Sequence, residues 1–89
     1  MLVNPPIRVG FELESHLLDA QALARRASLK QRDAGLARMV IVIADTALNR
    51  ASLAAADPTL RAAFPLRGRA LLTDLRAGRL PRDNGVLAV

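Results

Sequence analysis

The sequence contains no cysteine, tryptophan or tyrosine and only one histidine. The absence of cysteine excludes disulfides and thiolate metal sites and favours a protein of the reducing cytoplasm. A single histidine, His16, excludes a metal site built from several imidazoles. Phe11 and Phe64 are the only aromatic residues, too few for a platform that stacks successive bases of single-stranded nucleic acid.

Long apolar runs are also missing. The longest, residues 39–44, is far shorter than the roughly 20 residues that a membrane helix needs. Residues 1–6 lack the basic start and apolar run of a signal peptide. The 89 residues are expected to form one α/β domain, 1–89. No P-loop, G-x-G-x-x-G or nucleophile-elbow motif occurs, so the common nucleotide-binding and hydrolase signatures give no support.

The charge is strongly basic, at +5 with 13 Lys and Arg residues. Lys30 is the only lysine among them, and arginine is well suited to carboxylate and phosphate groups. A basic protein of this size is a reasonable nucleic-acid binder. The charges are scattered along the chain, however, and an arginine-rich surface without a nucleic-acid partner stays open as the alternative.

Strict alternation of apolar and other residues runs from Ile7 to Leu13 and predicts a half-buried strand. It is expected to bury Val9, Phe11 and Leu13, with Glu12 on the other face. Residues 16–32 are rich in helix formers and predict a helix capped by Ser15. Gly35 is expected to end that helix in the left-handed conformation.

The rest of the chain predicts two more strands and three helices. Residues 39–44 are continuously apolar and β-branched, as in a buried strand. Helices are expected at 47–56, 57–63 and 70–77, with a turn or short extended piece at 67–69 and a last strand at 86–89. The order β-α-β-α-α-α-β indicates a small, mostly parallel three-stranded sheet with helices.

Glu12 and Glu14 are the first candidate site, for catalysis and for metal. Residues two apart on a strand share a face, and two carboxylates there can hold Mg²⁺ together with water and phosphate oxygens. Such an ion can activate water for phosphodiester cleavage. The alternative is a pair of solvated carboxylates that form salt bridges to Arg8 or Arg25.

Asp45, Thr46, Asn49 and Arg50 form the second candidate site, where a strand delivers its carboxyl end to a helix. Ligands of open α/β sheets often bind at such ends. In the alternative interpretation Asp45 or Thr46 caps the helix, and Asn49 and Arg50 lie on its exposed side.

Several segments together resemble a family of uncharacterised actinobacterial proteins. They are residues 9–15, 19–23, 29–33, 42–46, 49–50, 64–65 and 76–78. In that family the segment forms the C-terminal part of a longer chain, often behind a helix-turn-helix DNA-binding domain. That part is similar to the restriction-endonuclease-like fold of the PD-(D/E)XK superfamily, and the resemblance covers the chain from about residue 8 onward.

The resemblance implies a metal-binding acid and a lysine two apart on a strand, followed by a helix with a polar position. Glu12 matches the acid and Gln21 the polar helix position, whereas Glu14 stands where the lysine would be. The partner aspartate is expected on a strand before Ile7. The resemblance therefore implies a truncated copy, a misplaced start or a domain that has lost catalysis.

Three functions follow as expectations. The first is a non-catalytic or degenerate nuclease-like module, associated with DNA or RNA or with transcriptional regulation. Its phosphate contacts would come from Arg25, Arg26, Lys30 and Arg32. The second is a Mg²⁺-dependent nuclease. The third is a homodimer formed through the apolar edges of a short sheet.

Overall fold

The computed structural model describes residues 9–89, apart from the side chains of Asp57 and Thr59. The strands are β1 (Val9–Glu14), β2 (Arg38–Ile43), β3 (Leu66–Arg67) and β4 (Gly85–Ala88). The helices are α1 (Ala20–Ala34), α2 (Ala47–Ala55), α3 (Asp57–Ala63) and α4 (Gly68–Arg76). The predicted α/β class and the four helices are confirmed. The start of the first strand expected at Ile7 lies outside the described residues.

The prediction of three strands is wrong, because the sheet has a fourth. Its order is β1-β2-β4-β3, and β1 with β2, β2 with β4 and β3 with β4 all pair in parallel. The extra strand, β3, has only two residues, Leu66 and Arg67. A strand of that length is too short to show the alternation by which a strand is recognised.

Helix α1 begins later than the sequence indicates. Asp19, rather than Ser15, accepts a hydrogen bond from the Ala22 amide and caps the helix. Gly35 ends it with φ 65° in the left-handed region, as expected. Residues 15–19 are therefore a connection that leads from the carboxyl end of β1 to the start of α1.

Helices cover both faces of the sheet. On one face α1 and α3 pack on a core that contains Leu23, Ile41, Ile43 and Phe64. On the opposite face α4 packs through Leu71 on residues of β2 and β4. Parallel sheets covered on both faces carry continuously apolar central strands, and β2 is of this kind.

The expected burial of β1 is reversed. Phe11 and Leu13 are 54% and 74% exposed, whereas the Glu12 side chain is only 12% exposed. Helix α1 lies on the face that carries Glu12, since its Lys30 is ion-paired with Glu12, and Leu36, which follows the helix, packs over Gly10 on the same face. Alternation shows that a strand has two unlike faces, but it does not show which face receives the helix.

Two polar side chains, the buried Asp74 and the half-buried Asn84, fix the connection that leads into β4. Asp74 is 2% exposed and accepts hydrogen bonds from the side chains of Arg79 and Arg82 and from the Arg82 amide. Asn84 accepts a hydrogen bond of 2.8 Å from the Met39 amide. The segment between α4 and β4 is thereby held to α4 through Asp74 and to β2 through the Met39 amide.

Candidate functional site

Glu12 and Glu14 share one face of β1, and each forms an ion pair with a cation of α1. Lys30 Nζ lies 2.7 and 3.0 Å from the two carboxylate oxygens of Glu12. Arg26 Nη2 lies 3.0 Å from Glu14 Oε2. The ion pairs that the sequence suggested involved Arg25 or Arg8; Arg8 lies outside the described residues, and Arg25 forms neither pair.

The two ion pairs follow from matching spacings. Arg26 and Lys30 are four residues apart on a helix, which separates them by about 6 Å along its axis. Glu12 and Glu14 are two residues apart on a strand, which separates them by about 6.6 Å. A helix that lies along β1 therefore presents one cation to each carboxylate.

The charges at this site offset one another. The side chains of Lys30 and Arg26 remain 57% and 50% exposed, so each ion pair contributes about 1 kcal/mol or less. That is weak enough for a strong competitor to displace. A divalent ion bound by Glu12 and Glu14 would nevertheless have to displace both cations or share the carboxylates with them.

The other predicted residues of α1 do not gather at this site. Gln21 is exposed, and nine residues separate it from Lys30, which places it about 180° around the helix axis. Arg25 and Arg32 lie within about 40° of Gln21 by the same geometry. The four basic residues expected to bind nucleic acid therefore form two stripes, one paired with Glu12 and Glu14 and one facing outward.

The second candidate site is held by internal hydrogen bonds. Thr46 caps α2 by accepting from the Asn49 amide, and Arg50 forms an exposed ion pair of 2.6 Å with Asp45. Asn49 is 1% exposed, contrary to the interpretation that placed it on the outside. Its amide nitrogen donates to the carbonyls of Ser15 and Ala44.

Asn49 also accepts a hydrogen bond of 3.0 Å from the Leu17 amide. Its side chain thus joins the connection after β1 to the connection after β2. Every hydrogen-bonding atom of the amide has a partner within the chain, so Asn49 stabilises the carboxyl edge of the sheet and has no free atom to offer a ligand.

A cleft of about 200 Å³ opens beside the carboxyl end of β1. Glu14, His16, Asp19 and Arg26 line it together with apolar side chains. Sites for small molecules usually measure about 300–1,000 Å³. The cleft is small for an organic ligand, and its polar groups are a capping carboxylate, an ion pair and an exposed histidine.

Sequence reasoning missed the role of Lys30 beside Glu12. The two residues lie 18 positions apart, and only the packing of α1 along β1 brings them together. The sequence did contain a signal for this contact. Two acids stand two residues apart on a strand, and two cations stand four residues apart on the helix that follows.

Among the side chains that the structure describes, no three carboxylates or imidazoles converge to hold a metal ion. No helix in the described part of the chain is long and apolar enough to span a bilayer. Comparisons with protein-family models, curated proteins and solved structures find no match to this chain.

Proposed function

We propose that this chain is a nucleic-acid-associated module with a restriction-endonuclease-like core that binds without cleaving. One observation carries the non-catalytic part: Glu12 and Glu14 are each ion-paired to a cation of α1. Mg²⁺ usually takes one or two carboxylates and completes its shell with water and phosphate oxygens, so an ion bound here would have to displace the two cations or share the carboxylates with them. The β1-α1-β2 unit, with acids on its first strand, is compatible with the core that the resemblance implies.

The outward stripe of α1, defined by Gln21, Arg25 and Arg32, is the proposed contact surface. Arg25 forms no ion pair with another described residue, and Arg32 makes only an exposed contact of 3.6 Å with Asp33. Both guanidinium groups are therefore able to reach phosphate oxygens. The net charge of +5 supports approach to a polyanion through long-range attraction.

The test is fluorescence anisotropy with labelled duplex DNA, single-stranded DNA and RNA over a range of salt concentrations. Two phosphate contacts contribute about 1.8 to the slope of log K against log salt on B-DNA. Arg25→Ala with Arg32→Ala should lower that slope by this amount and weaken binding at low salt by roughly tenfold or more. No binding by the unmodified chain at low salt would refute the proposal.

The matched control removes the same charge from the other side of the molecule. Arg69 and Arg76 are exposed on α4, which covers the opposite face of the sheet. Arg69→Ala with Arg76→Ala should leave most of the affinity intact. An equal loss in both double variants would mean that general charge, rather than the α1 stripe, drives binding.

A Mg²⁺-dependent nuclease is the second candidate, and the position of Lys30 favours it. Its ammonium lies against both oxygens of Glu12 and would supply the positive charge that Glu14 lacks. A cation at that place can stabilise the oxyanion that develops during phosphodiester cleavage. Glu12 would then hold the metal, with Glu14 beside it, while Gln21 would take no part.

Incubation with plasmid, single-stranded DNA and RNA in Mg²⁺ or Mn²⁺ separates the two candidates. Cleavage that is lost in both Glu12→Gln and Lys30→Ala would establish the nuclease and overturn the non-catalytic proposal. Intact substrates would remove the nuclease. Cleavage that survives in Glu12→Gln would identify a contaminating enzyme.

A further inference from the structure

The outer edge of β1 has no partner strand among residues 9–89. In the sheet order β1-β2-β4-β3, β1 pairs with β2 alone. The Glu14 carbonyl accepts a hydrogen bond from the Ala44 amide, so the peptide groups of Glu14 point toward β2. The peptide groups of successive strand residues point to opposite edges. The N–H and C=O groups of Val9, Phe11 and Leu13 therefore point outward, where they are able to pair with another strand.

This edge also carries exposed apolar side chains. Phe11 and Leu13 lie on the face opposite α1, in register with Val40 and Val42 of β2. Helix α4 covers that face over β3 and β4, at the other side of the sheet, and leaves Phe11 54% and Leu13 74% exposed.

β1 has few of the features that usually keep an edge strand from pairing with another chain. Natural edges are kept apart by charges, proline, bulges or very short strands. β1 spans six residues without proline and pairs with β2 in an uninterrupted register. Its two charges, Glu12 and Glu14, are paired with cations of the same chain, so they repel an approaching strand little.

We propose that a second copy of this chain pairs with the edge, β1 against β1 and antiparallel, to form one continuous sheet of twice four strands. A two-fold axis perpendicular to the sheet would pass beside Phe11. The interface is then isologous, as in most homodimers. This inference does not depend on whether the chain binds nucleic acid.

The choice of a second copy rests on self-complementarity. With Phe11 opposite Phe11 of the second copy, Val9 lies opposite Leu13, and the peptide groups of all three outward-facing residues find partners. Three such pairs give about six backbone hydrogen bonds. Gly10 then lies opposite Glu12, so each carboxylate faces a residue without a side chain.

The neighbouring registers are worse. A shift that centres the pair on Glu12 places two Glu12 carboxylates directly opposite, which is destabilising. It also leaves Val9 opposite Ser15, beyond the end of the strand. A shift toward Gly10 leaves Leu13 without a partner among the described residues. Among residues 9–14, the register centred on Phe11 is the one that joins the apolar side chains and places each Glu12 opposite a glycine.

The layer of helices accommodates this pairing. Helix α1 packs on β2 and reaches β1 through Arg26 and Lys30, so the α1 helices of the two copies are at least two strand spacings, about 10 Å, apart. Packed helices have axes about 8–10 Å apart. The two α1 helices would therefore lie antiparallel on one face of the enlarged sheet without overlapping.

Mass measurement by sedimentation or light scattering tests the association. At about 100 μM, a dimer with a micromolar Kd is almost fully formed. Leu13→Lys should give a monomer, because it places charge on the apolar face of the edge. Leu18→Lys is the matched control, since Leu18 is 87% exposed but lies outside β1, and it should remain a dimer.

Phe11→Pro tests the edge while sparing the fold. The amide of Phe11 points outward, so proline there removes a donor to the second copy and none to β2. We expect a folded monomer by circular dichroism. A monomeric unmodified chain would overturn the proposal and leave the edge to an extended segment of another protein. A dimer that persists in both Leu13→Lys and Phe11→Pro would also overturn it.

Cysteine substitution tests the register, since the chain has no cysteine of its own. In Phe11→Cys the two new thiols lie opposite each other with Cα atoms about 5.5 Å apart, within disulfide range. In Leu13→Cys they are about 14 Å apart. Oxidation should cross-link the first variant and spare the second; the reverse result would exclude the proposed register.

Discussion

Replacing Asn49 with alanine should destabilise the chain more than any exposed substitution at the same edge of the sheet. The side chain is 1% exposed, and it makes hydrogen bonds to the Leu17 amide and to the carbonyls of Ser15 and Ala44. Alanine removes all three, while the backbone groups stay in place.

The expected loss of stability depends on which backbone groups lose a hydrogen-bond partner. Each hydrogen bond contributes about 1 kcal/mol net, and a buried group left unsatisfied costs more. The Leu17 residue is buried, whereas Ser15 is exposed and its carbonyl can turn to water. The expected loss is therefore about 3 kcal/mol, or about 12–24 °C in Tm for a chain of this size.

Urea denaturation followed by circular dichroism measures this loss, since the chain has no tryptophan or tyrosine to report by fluorescence. Arg50→Ala is the control: it removes an exposed ion pair to Asp45 and should cost about 1 kcal/mol or less. If Asn49→Ala costs no more than Arg50→Ala, the argument that Asn49 joins the two connections is wrong.

A second substitution at the same position separates hydrogen bonding from volume. Asn49→Asp preserves the shape and still accepts from the Leu17 amide. It presents carboxylate oxygens to the carbonyls of Ser15 and Ala44, however, and buries a charge. We expect a loss at least as large as that of Asn49→Ala. A stability near that of the unmodified chain would show that the donor side of the amide contributes little.

Two further predictions concern the connection into β4. Burial raises the pKa of Asp74, but hydrogen bonds from the Arg79 side chain and from the amide and side chain of Arg82 outweigh it and hold the pKa below the ordinary 3.8. As the pH falls, the Asp74 carboxylate is therefore protonated in the unfolded chain before it is protonated in the folded chain. The stability that the ionised Asp74 contributes is complete above its unfolded pKa and is lost as the pH falls through its folded pKa. In urea titrations at several pH values, Asp74→Asn should be less stable than the unmodified chain at neutral pH, with the difference shrinking below about pH 4; a constant difference would contradict the linkage. Gly85→Ala should cost about 1–3 kcal/mol in the same assay, because the added Cβ would lie 2.9 Å from the Leu66 carbonyl oxygen and 3.0 Å from Leu71 Cδ2, and an unchanged stability would show that β3 shifts freely.

The sequence predicts elements well where one local signal decides them. The apolar run of β2 and the left-handed Gly35 lie where local chemistry placed them, and of the two caps left open for α2, Asp45 and Thr46, the structure has Thr46. The early start proposed for α1 failed because Ser15 and Asp19 are both good caps, and the polypeptide between them forms a connection pinned by Asn49.

The candidate site was less predictable, since it depends on packing between distant parts of the chain. Lys30 reaches Glu12 only because α1 lies along β1, and Asn49 is buried only because two connections close over it. The exposure of Phe11 follows from α4 covering the far side of the sheet. No local period encodes which face a helix will cover.

The position of β4 sets the order in which this sheet can be completed. Gly85–Ala88 is the latest described strand in sequence, yet it lies between β2 and β3. Until it is in place, β3 has no neighbour and the inner edge of β2 stays open. The β1-α1-β2 unit can form from contacts close in sequence, whereas closing the sheet requires a loop of more than 40 residues between β2 and β4 to be ordered.

Contacts of this long range are slow to form, so closure by β4 is the step expected to limit folding. Among the described strands, a ribosome-bound chain that lacks Gly85–Ala88 would hold two open edges, one on β1 and one on β2. The growing chain is therefore most prone to mispairing just before β4 emerges.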